Sequence, residues 1–362
     1  MAIMTDFGTA RTSATACEGV AAGIASDAAR TRTDLPSTDG ERTAGEHADR
    51  KHTGREHGAH PAPDRAACVV LGAGDYYGSE TASLRLAGLL HPPASDAAAR
   101  PLVIAADGGL DHAADLGIRP DFIIGDLDSV SSRLDIAHTP AAHAPVAHTP
   151  EYVAAAAPRP TDAQAAALAP FVSGTLASGP FAGTPVITLP SQKDDADMLS
   201  ALKAGWTAGA REFHIVGGLG GRLDHTLGNV QLLTFVSRAG GSAFLYGDGI
   251  TATAVTDGCV RFPAAPAPAF PMVSVFSAGD ESRDVRIAGL KYEVEGFTVS
   301  NAIAQLSNEL IGIDATISVG RGTLVITYPA AVAPPIIESG AAPTTTLGAL
   351  STQVSQRLRP AS

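Results

Sequence analysis

"PLVIAADGGLDHAADLGIRPDFIIGD", residues 101–126, decides the fold. It opens on an apolar run, Leu102 to Ala106, and breaks at Gly108–Gly109. A short helical pattern follows and stops at Gly117, after which Phe122, Ile123 and Ile124 lead into Gly125. Short apolar runs that end in glycine are the mark of strands buried on both faces, as in parallel sheets. Neighbouring stretches repeat the texture. "ACVVLGAG" (67–74), "TPVITLP" (184–190), "EFHIVGG" (212–218) and "SAFLYGD" (242–248) read as strands. "DADMLSALKAGWTAG" and "RLDHTLGNVQLLTFVSRAG" read as helices between them. Alternation of this kind predicts an α/β fold, an open and mostly parallel sheet covered by helices.

From about Ile250 the pattern shifts to short alternating strands such as "MVSVFSAGD", "VRIAGLKYEVEG", "DATISVG" and "TLVITYP". This predicts a smaller antiparallel β-sandwich-like domain after the first. The expected organisation is therefore an α/β domain over residues 65–249 and a β domain over 250–329. Three stretches are poor in large apolar side chains: 1–64, an insertion at 131–184 rich in Ala and Pro, and 330–362. Too little apolar surface to offset chain entropy predicts disorder in all three.

The formal charge of −12 over 362 residues argues against a non-specific nucleic-acid binder or an anionic-membrane binder. It leaves room for an anionic substrate, because a divalent cation inverts the local sign. Cys17, Cys68 and Cys259 form no CxxC pattern, which fits a reducing compartment better than a disulfide framework. No run of eighteen apolar residues and no basic-then-apolar leader is present, so a soluble cytoplasmic protein is expected.

Ligands of open α/β sheets bind beyond the carboxyl ends of the strands. Four clusters fall at such ends: "ADGG" (106–109), "GDLDS" (125–129), "QKDDAD" (192–197) and "GGRLDH" (220–225). The first joins Asp107 to Gly108 and Gly109, whose bare backbone can approach a phosphate closely. Asp126 and Asp128 repel each other unless a proton or cation lies between them, and their oxygens suit Mg²⁺. Asp194, Asp195 and Asp197 at a helix start are also what N-capping and the helix dipole select, and Lys193 could simply pair with them. Arg222 offers a two-pronged donor for phosphate, while Asp224 and His225 supply a hydrogen-bonding pair. Many acids with one lysine and one arginine at one rim point to metal-assisted phosphoryl transfer. Neither a Walker A loop nor a GxSxG elbow occurs.

In this order, the clusters resemble the thiamine pyrophosphokinase family, together with "GLKY" (289–292) and "LSNE" (306–309) in the predicted β domain. The resemblance spans about Val69 to Tyr328 outside the insertion. It implies transfer of the pyrophosphoryl group of ATP to the hydroxyl of thiamine, giving thiamine diphosphate and AMP, by a homodimer that uses Mg²⁺. Carried over, Asp107, Asp126, Asp128, Asp194 and Asp197 become candidate metal ligands, with Asp107, Asp126, Asp128 and Asp197 as catalytic acids. Gly108, Gly109, Lys193, Asp194, Arg222, Asp224 and His225 become candidates for ATP or phosphate binding, and Ser307 and Asn308 for thiamine. Two positions depart from the family pattern: Ala196 stands where Thr is common, and Gly228 where Ala is usual. Two other readings compete. One is the same chemistry on another hydroxymethyl heterocycle such as a pterin; the other is a non-catalytic thiamine or nucleotide sensor.

Overall fold

The computed structural model describes residues 66–90, 100–128, 130, 136–137 and 161–355. The expected N-terminal tail and most of the first half of the insertion lie outside these residues. Strands β1 (Ala67–Leu71), β2 (Leu102–Ala106) and β3 (Phe122–Gly125) form where the apolar runs predict them. With β6 (Pro185–Thr188), β7 (Glu212–Val216) and β8 (Ser242–Gly247) they make six adjacent parallel strands in the order β8-β7-β1-β2-β3-β6.

Alternate residues of one strand enter different cores. Val69 and Leu71 join Leu110 and Ala113 of helix α2 (Gly109–Leu116), and Leu84 of α1 (Glu80–Leu86) belongs to the same cluster. Cys68 and Val70 instead join Ala201 and Leu202 of α4 (Asp197–Thr207) and Leu233 and Val236 of α5 (Leu223–Arg238). Two-sided burial explains why these strands lack polar alternation, and each buried Leu or Ile contributes roughly 1.5–3 kcal/mol.

Antiparallel strands extend both margins. Beyond β6 lie β5 (Gly174–Leu176) and β4 (Ile136–Ala137). Beyond β8 lie β9 (Ile250–Thr256), β16 (Thr323–Pro329), β11 (Met272–Ser277) and β14 (Gln305–Glu309), which completes a twelve-stranded mixed sheet. A second sheet, entirely antiparallel, runs β13 (Val294–Ser300), β12 (Glu281–Ala288), β15 (Ala315–Arg321), β10 (Cys259–Phe262) and β17 (Ile336–Glu338). Val285, Ile287, Ile317 and Val319 of this sheet share a core with Val273, Val275, Leu324 and Ile326 of the large one. The boundary expected at 249/250 falls within the turn of a hairpin: Asp248 and Gly249 take positive φ, and β8 pairs directly with β9. The large sheet therefore continues unbroken from the parallel part into the antiparallel part.

Two expectations of disorder are corrected. Within the insertion, Thr161 and Gln164 form a reciprocal capping box that starts α3 (Asp162–Leu168), and β5 follows. Leu168, Leu176 and Phe181 are buried and anchor this half of the insertion to the sheet. The C-terminal stretch is likewise built in as far as residue 355: β17 pairs with β10, and Leu347 and Leu350 enter the core beneath α4 and α5. A few well-spaced apolar residues sufficed where average composition predicted none.

Candidate active site

Four neighbouring parallel strands, β7, β1, β2 and β3, together with β6 beyond them, deliver the candidate residues at their carboxyl ends. Asp107 follows β2 with φ 50°, a left-handed conformation that Asp tolerates better than most residues, and its amide donates to Ile124 O across the strand gap at 2.8 Å. Gly109 is obligatory, since a Cβ there would sit 2.0 Å from Leu71 O. Gly125, at φ 151°, would place a Cβ 3.1 Å from that of Asp107, so the two loops pass in close contact. Leu127 takes φ 62° between Asp126 and Asp128. Two non-glycine residues in this region within one site mark backbone held in place by its surroundings.

One carboxylate oxygen from each of Asp107, Asp126 and Asp128 lies within 4.8 Å of the other two. Asp107 is buried, Asp126 half-buried and Asp128 exposed, so the trio opens toward solvent on one side. Asp107 Oδ1 is buried with no hydrogen-bond partner. A buried carboxylate with an unpartnered oxygen, grouped with two other acids, suits a hard divalent cation, which takes oxygen ligands and keeps part of its shell for water or phosphate. The residues fit Mg²⁺.

Lys193 reaches the same cluster from the loop before α4. Its Nζ lies 3.4 Å from Asp126 Oδ2 and 3.1 Å from Asp197 Oδ1. Burial alone would lower the Lys193 pKa, but Asp197 and Asp126 outweigh it and the net shift is upward. Burial pushes Asp197 up and Lys193 pulls it back, while Asp126 and Asp107 add to the rise. The structure thus brings together Asp107, Asp126, Asp128, Lys193 and Asp197, with Gly108 and Gly109 at the start of α2 beside them.

It places the others differently. Asp194 turns away from this group and accepts a hydrogen bond from Ser355 Oγ. Arg222 and Asp224 pair with each other at 2.6 Å in an exposed position at the start of α5, and His225 is exposed beside them. Asn308 is buried: Oδ1 accepts from the amides of Tyr292 and Glu309, and Nδ2 donates to Tyr292 O at 2.7 Å. It clamps the "GLKY" turn onto β14, a scaffold role, whereas Ser307 before it is exposed with φ 56°.

The region after β1 contributes features that sequence reading did not single out. Gly72 and Gly74 donate to Val216 O and Gly217 O, which locks the loop 72–79 against the glycine-rich loop after β7. Tyr76 stacks on His112 of α2 at 3.9 Å, and Tyr77 N donates to the buried Glu80. The signal was there in "GDYYGSE", two adjacent tyrosines at a strand's carboxyl end, but it matched no nucleotide-binding spacing.

Residues 179–244, which contain the acid loop and the start of α5, match the family profile described as "Thiamin pyrophosphokinase, catalytic domain". The profile is that of the family the sequence motifs resemble. Thiamine pyrophosphokinase from Bacillus subtilis is 18% identical, with 73% of this chain and 98% of that chain covered and a TM-score of 0.50. The thiamin pyrophosphokinase from Geobacillus thermodenitrificans is 21% identical, covering 73% of this chain and 97% of its own, with a TM-score of 0.48. The first of these likenesses shows a thiamine pyrophosphokinase-like fold, a mixed sheet with parallel strands joined by an antiparallel sheet. No curated protein matches the chain. Among the described residues, no helix is long and apolar enough to cross a membrane.

Proposed function

We propose that the chain is a thiamine diphosphokinase that transfers the pyrophosphoryl group of ATP to the hydroxyl of thiamine. The observation that carries this reading is the convergence of Asp107, Asp126 and Asp128 on one point, with Lys193 alongside, in a chain whose residues 179–244 match the family's catalytic-domain profile. The thiamine oxygen attacks the β-phosphorus. The bond from that phosphorus to the oxygen bridging the α-phosphate breaks, AMP leaves, and the hydroxyl proton is released.

Asp107, Asp126 and Asp128 would hold Mg²⁺, which when bound neutralises charge on the phosphate oxygens. Asp197 holds Lys193 in reach of the same oxygens, so a donor with full positive charge is positioned before substrate arrives. The Gly108–Gly109 backbone at the start of α2 lets phosphate approach without a side chain in the way. Arg222, freed from Asp224, is available as a further phosphate donor at the neighbouring strand end. Ser307 presents a hydroxyl on the β14 side, and Asn308 shapes that wall by holding the turn at Tyr292.

We read the working form as a cytoplasmic homodimer. Phe270, Met272, Phe276 and Leu306, exposed on and around the edge strand β14 and its neighbour β11, form the sort of apolar surface a second copy would cover. Sedimentation should give twice the chain mass.

Incubation with ATP, Mg²⁺ and thiamine tests the reaction. The expected products are AMP and thiamine diphosphate. ADP with thiamine monophosphate would overturn the bond assignment, turnover of a pterin alone would redirect the substrate, and binding without turnover would make the protein a sensor.

A further inference from the structure

The loop between β6 and α4 has two sides, and only one belongs to the acid cluster. Lys193 points inward to Asp126 and Asp197. Its neighbours are fastened outward to the C-terminal stretch 343–355. Gln192 O accepts from Ser355 N at 2.6 Å, and Asp194 accepts from Ser355 Oγ. Asp195 Oδ2 accepts from Ser351 Oγ at 2.8 Å and from Lys203 Nζ of α4 at 2.6 Å. Lys203 also donates to Ala349 O at 3.0 Å, so one ammonium ties the helix, the loop and the C-terminal stretch together. Upstream, Trp206 Nε1 donates to Thr344 O, Thr344 N donates to Ala239 O, and Leu347 and Leu350 are buried against the helices.

We propose that residues 343–355 are a strap that positions Lys193, with Asp195 as its hub and Ser351 and Ser355 as its fasteners. A loop fixed only at β6 and α4 would leave the lysine free to sample many rotamers, and a side chain of that length loses much conformational entropy when ordered. Bonds to the residues on both sides of Lys193 fix the backbone it springs from. The lysine then meets phosphate already aimed, which is what preorganised donors require. These bonds join the strap to α4 and to the loop that carries Lys193, so Asp195, Ser351 and Ser355 are positioning residues that act through Lys193. The kinetic side of this proposal rests on the pyrophosphoryl-transfer reading; the structural side does not.

The test uses the full-length protein with Ser351→Ala and Ser355→Ala, singly and combined, and Ser351→Thr as the conservative control. Without substrate, hydrogen exchange in the peptide spanning 191–198 should accelerate about tenfold in the double variant, while strands β1 to β3 stay as protected as before. With substrate, KM for Mg–ATP should rise about tenfold and kcat fall less than twofold, as expected when a charge-assisted contact made in the ground state is loosened. Ser351→Thr keeps the hydroxyl and should restore both values relative to Ser351→Ala. Unchanged exchange at 191–198 overturns the proposal, and so does a KM equal to that of the native protein or a threonine variant no better than alanine. If the double variant unfolds, Ser351→Ala alone decides by the same readouts. If the native protein turns over no ATP with thiamine, the reaction reading fails, and the exchange result still decides whether the strap holds the loop.

Discussion

Strands β2 and β3 enter and leave the sheet in opposite electrostatic conditions. At their amino ends Arg100 and Asp121 form a two-pronged pair at 2.6 and 2.7 Å, and Asp121 Oδ2 also accepts from Val103 N at 2.8 Å. One cation meets one anion, both largely buried, with both carboxylate oxygens occupied. At the carboxyl ends of the same strands Asp107, Asp126 and Asp128 converge, Asp197 stands behind them, and Lys193 is the cation paired with two of the four. The balanced end is complete without a ligand, while the acidic end is short of positive charge and includes a buried oxygen with no donor. A fold can be pinned at one edge of a sheet and kept receptive at the other, which is the usual division in open α/β architecture.

The largest effect should come from the balanced end. Asp121→Ala strands a buried guanidinium and removes the acceptor for Val103 N, so urea unfolding should show a loss of about 3–5 kcal/mol. The native pair carries a cost of its own: burial pushes Asp121 up to about 6 even though Arg100 and Val103 N pull it down. With the folded pKa above the ordinary value, the folded state holds the proton more tightly. Stability from this group therefore declines as pH rises from about 4 through 6, and it does so only in the native protein. If Asp121→Ala costs under 1 kcal/mol, the two ends do not differ as described.

At the acidic end a substitution should damage activity and spare the fold. Asp126→Asn removes a charge from the trio and keeps its shape. Turnover should fall about 10²-fold or more, the usual effect of removing a preorganised electrostatic group, and the metal-free protein should melt no lower than the native one. Near-native turnover would mean that Asp126 and Asp128 form no more than a solvated turn.

A third measurement adds the missing charge. Mg²⁺ at a hundred times its dissociation constant should stabilise the native protein by about 2.7 kcal/mol, and Asp126→Asn should respond much less. An equal shift in both proteins would place the ion elsewhere.

The acids themselves were legible in the sequence because strand ends are. Gly125 and Gly108 stop apolar runs, and whatever follows must project from the sheet's rim. What stayed hidden was long-range pairing. Nothing local to Asp194 says that it meets Ser355, 161 residues later, and nothing in "LSNE" says that Asn308 would be consumed by the turn at Tyr292. The C-terminal stretch was misread for a related reason: Leu347 and Leu350 are sparse in an Ala-, Thr- and Pro-rich context, yet two buried leucines and a set of hydrogen bonds hold it down. The β domain was recognised as strands, but its continuity with the parallel sheet depends on the hairpin at Asp248–Gly249, which reads equally well as a linker.

The smallest predicted effect isolates the lysine. Lys193→Met removes the positive charge between Asp126 and Asp197 and keeps most of the apolar stem. Without metal, the loss of charge-assisted contacts should cost about 1.5 kcal/mol in chemical unfolding at pH 7. The sign of its pH dependence follows from the upward shift of the lysine, whose ordinary value is 10.5. The folded state binds that proton more tightly than the unfolded chain, so the stabilisation is present at pH values below the ordinary value and disappears as pH rises through the folded one. The native and variant proteins should therefore differ by a constant amount between pH 7 and about 10 and converge above it. Saturating Mg²⁺ should narrow the gap at pH 7, because the ion supplies to the acids the charge the variant lacks. A gap that neither Mg²⁺ nor alkaline pH closes would mean that Lys193 stabilises the fold through the packing of its stem, and the acidic end would then be no more receptive to a cation than the balanced one.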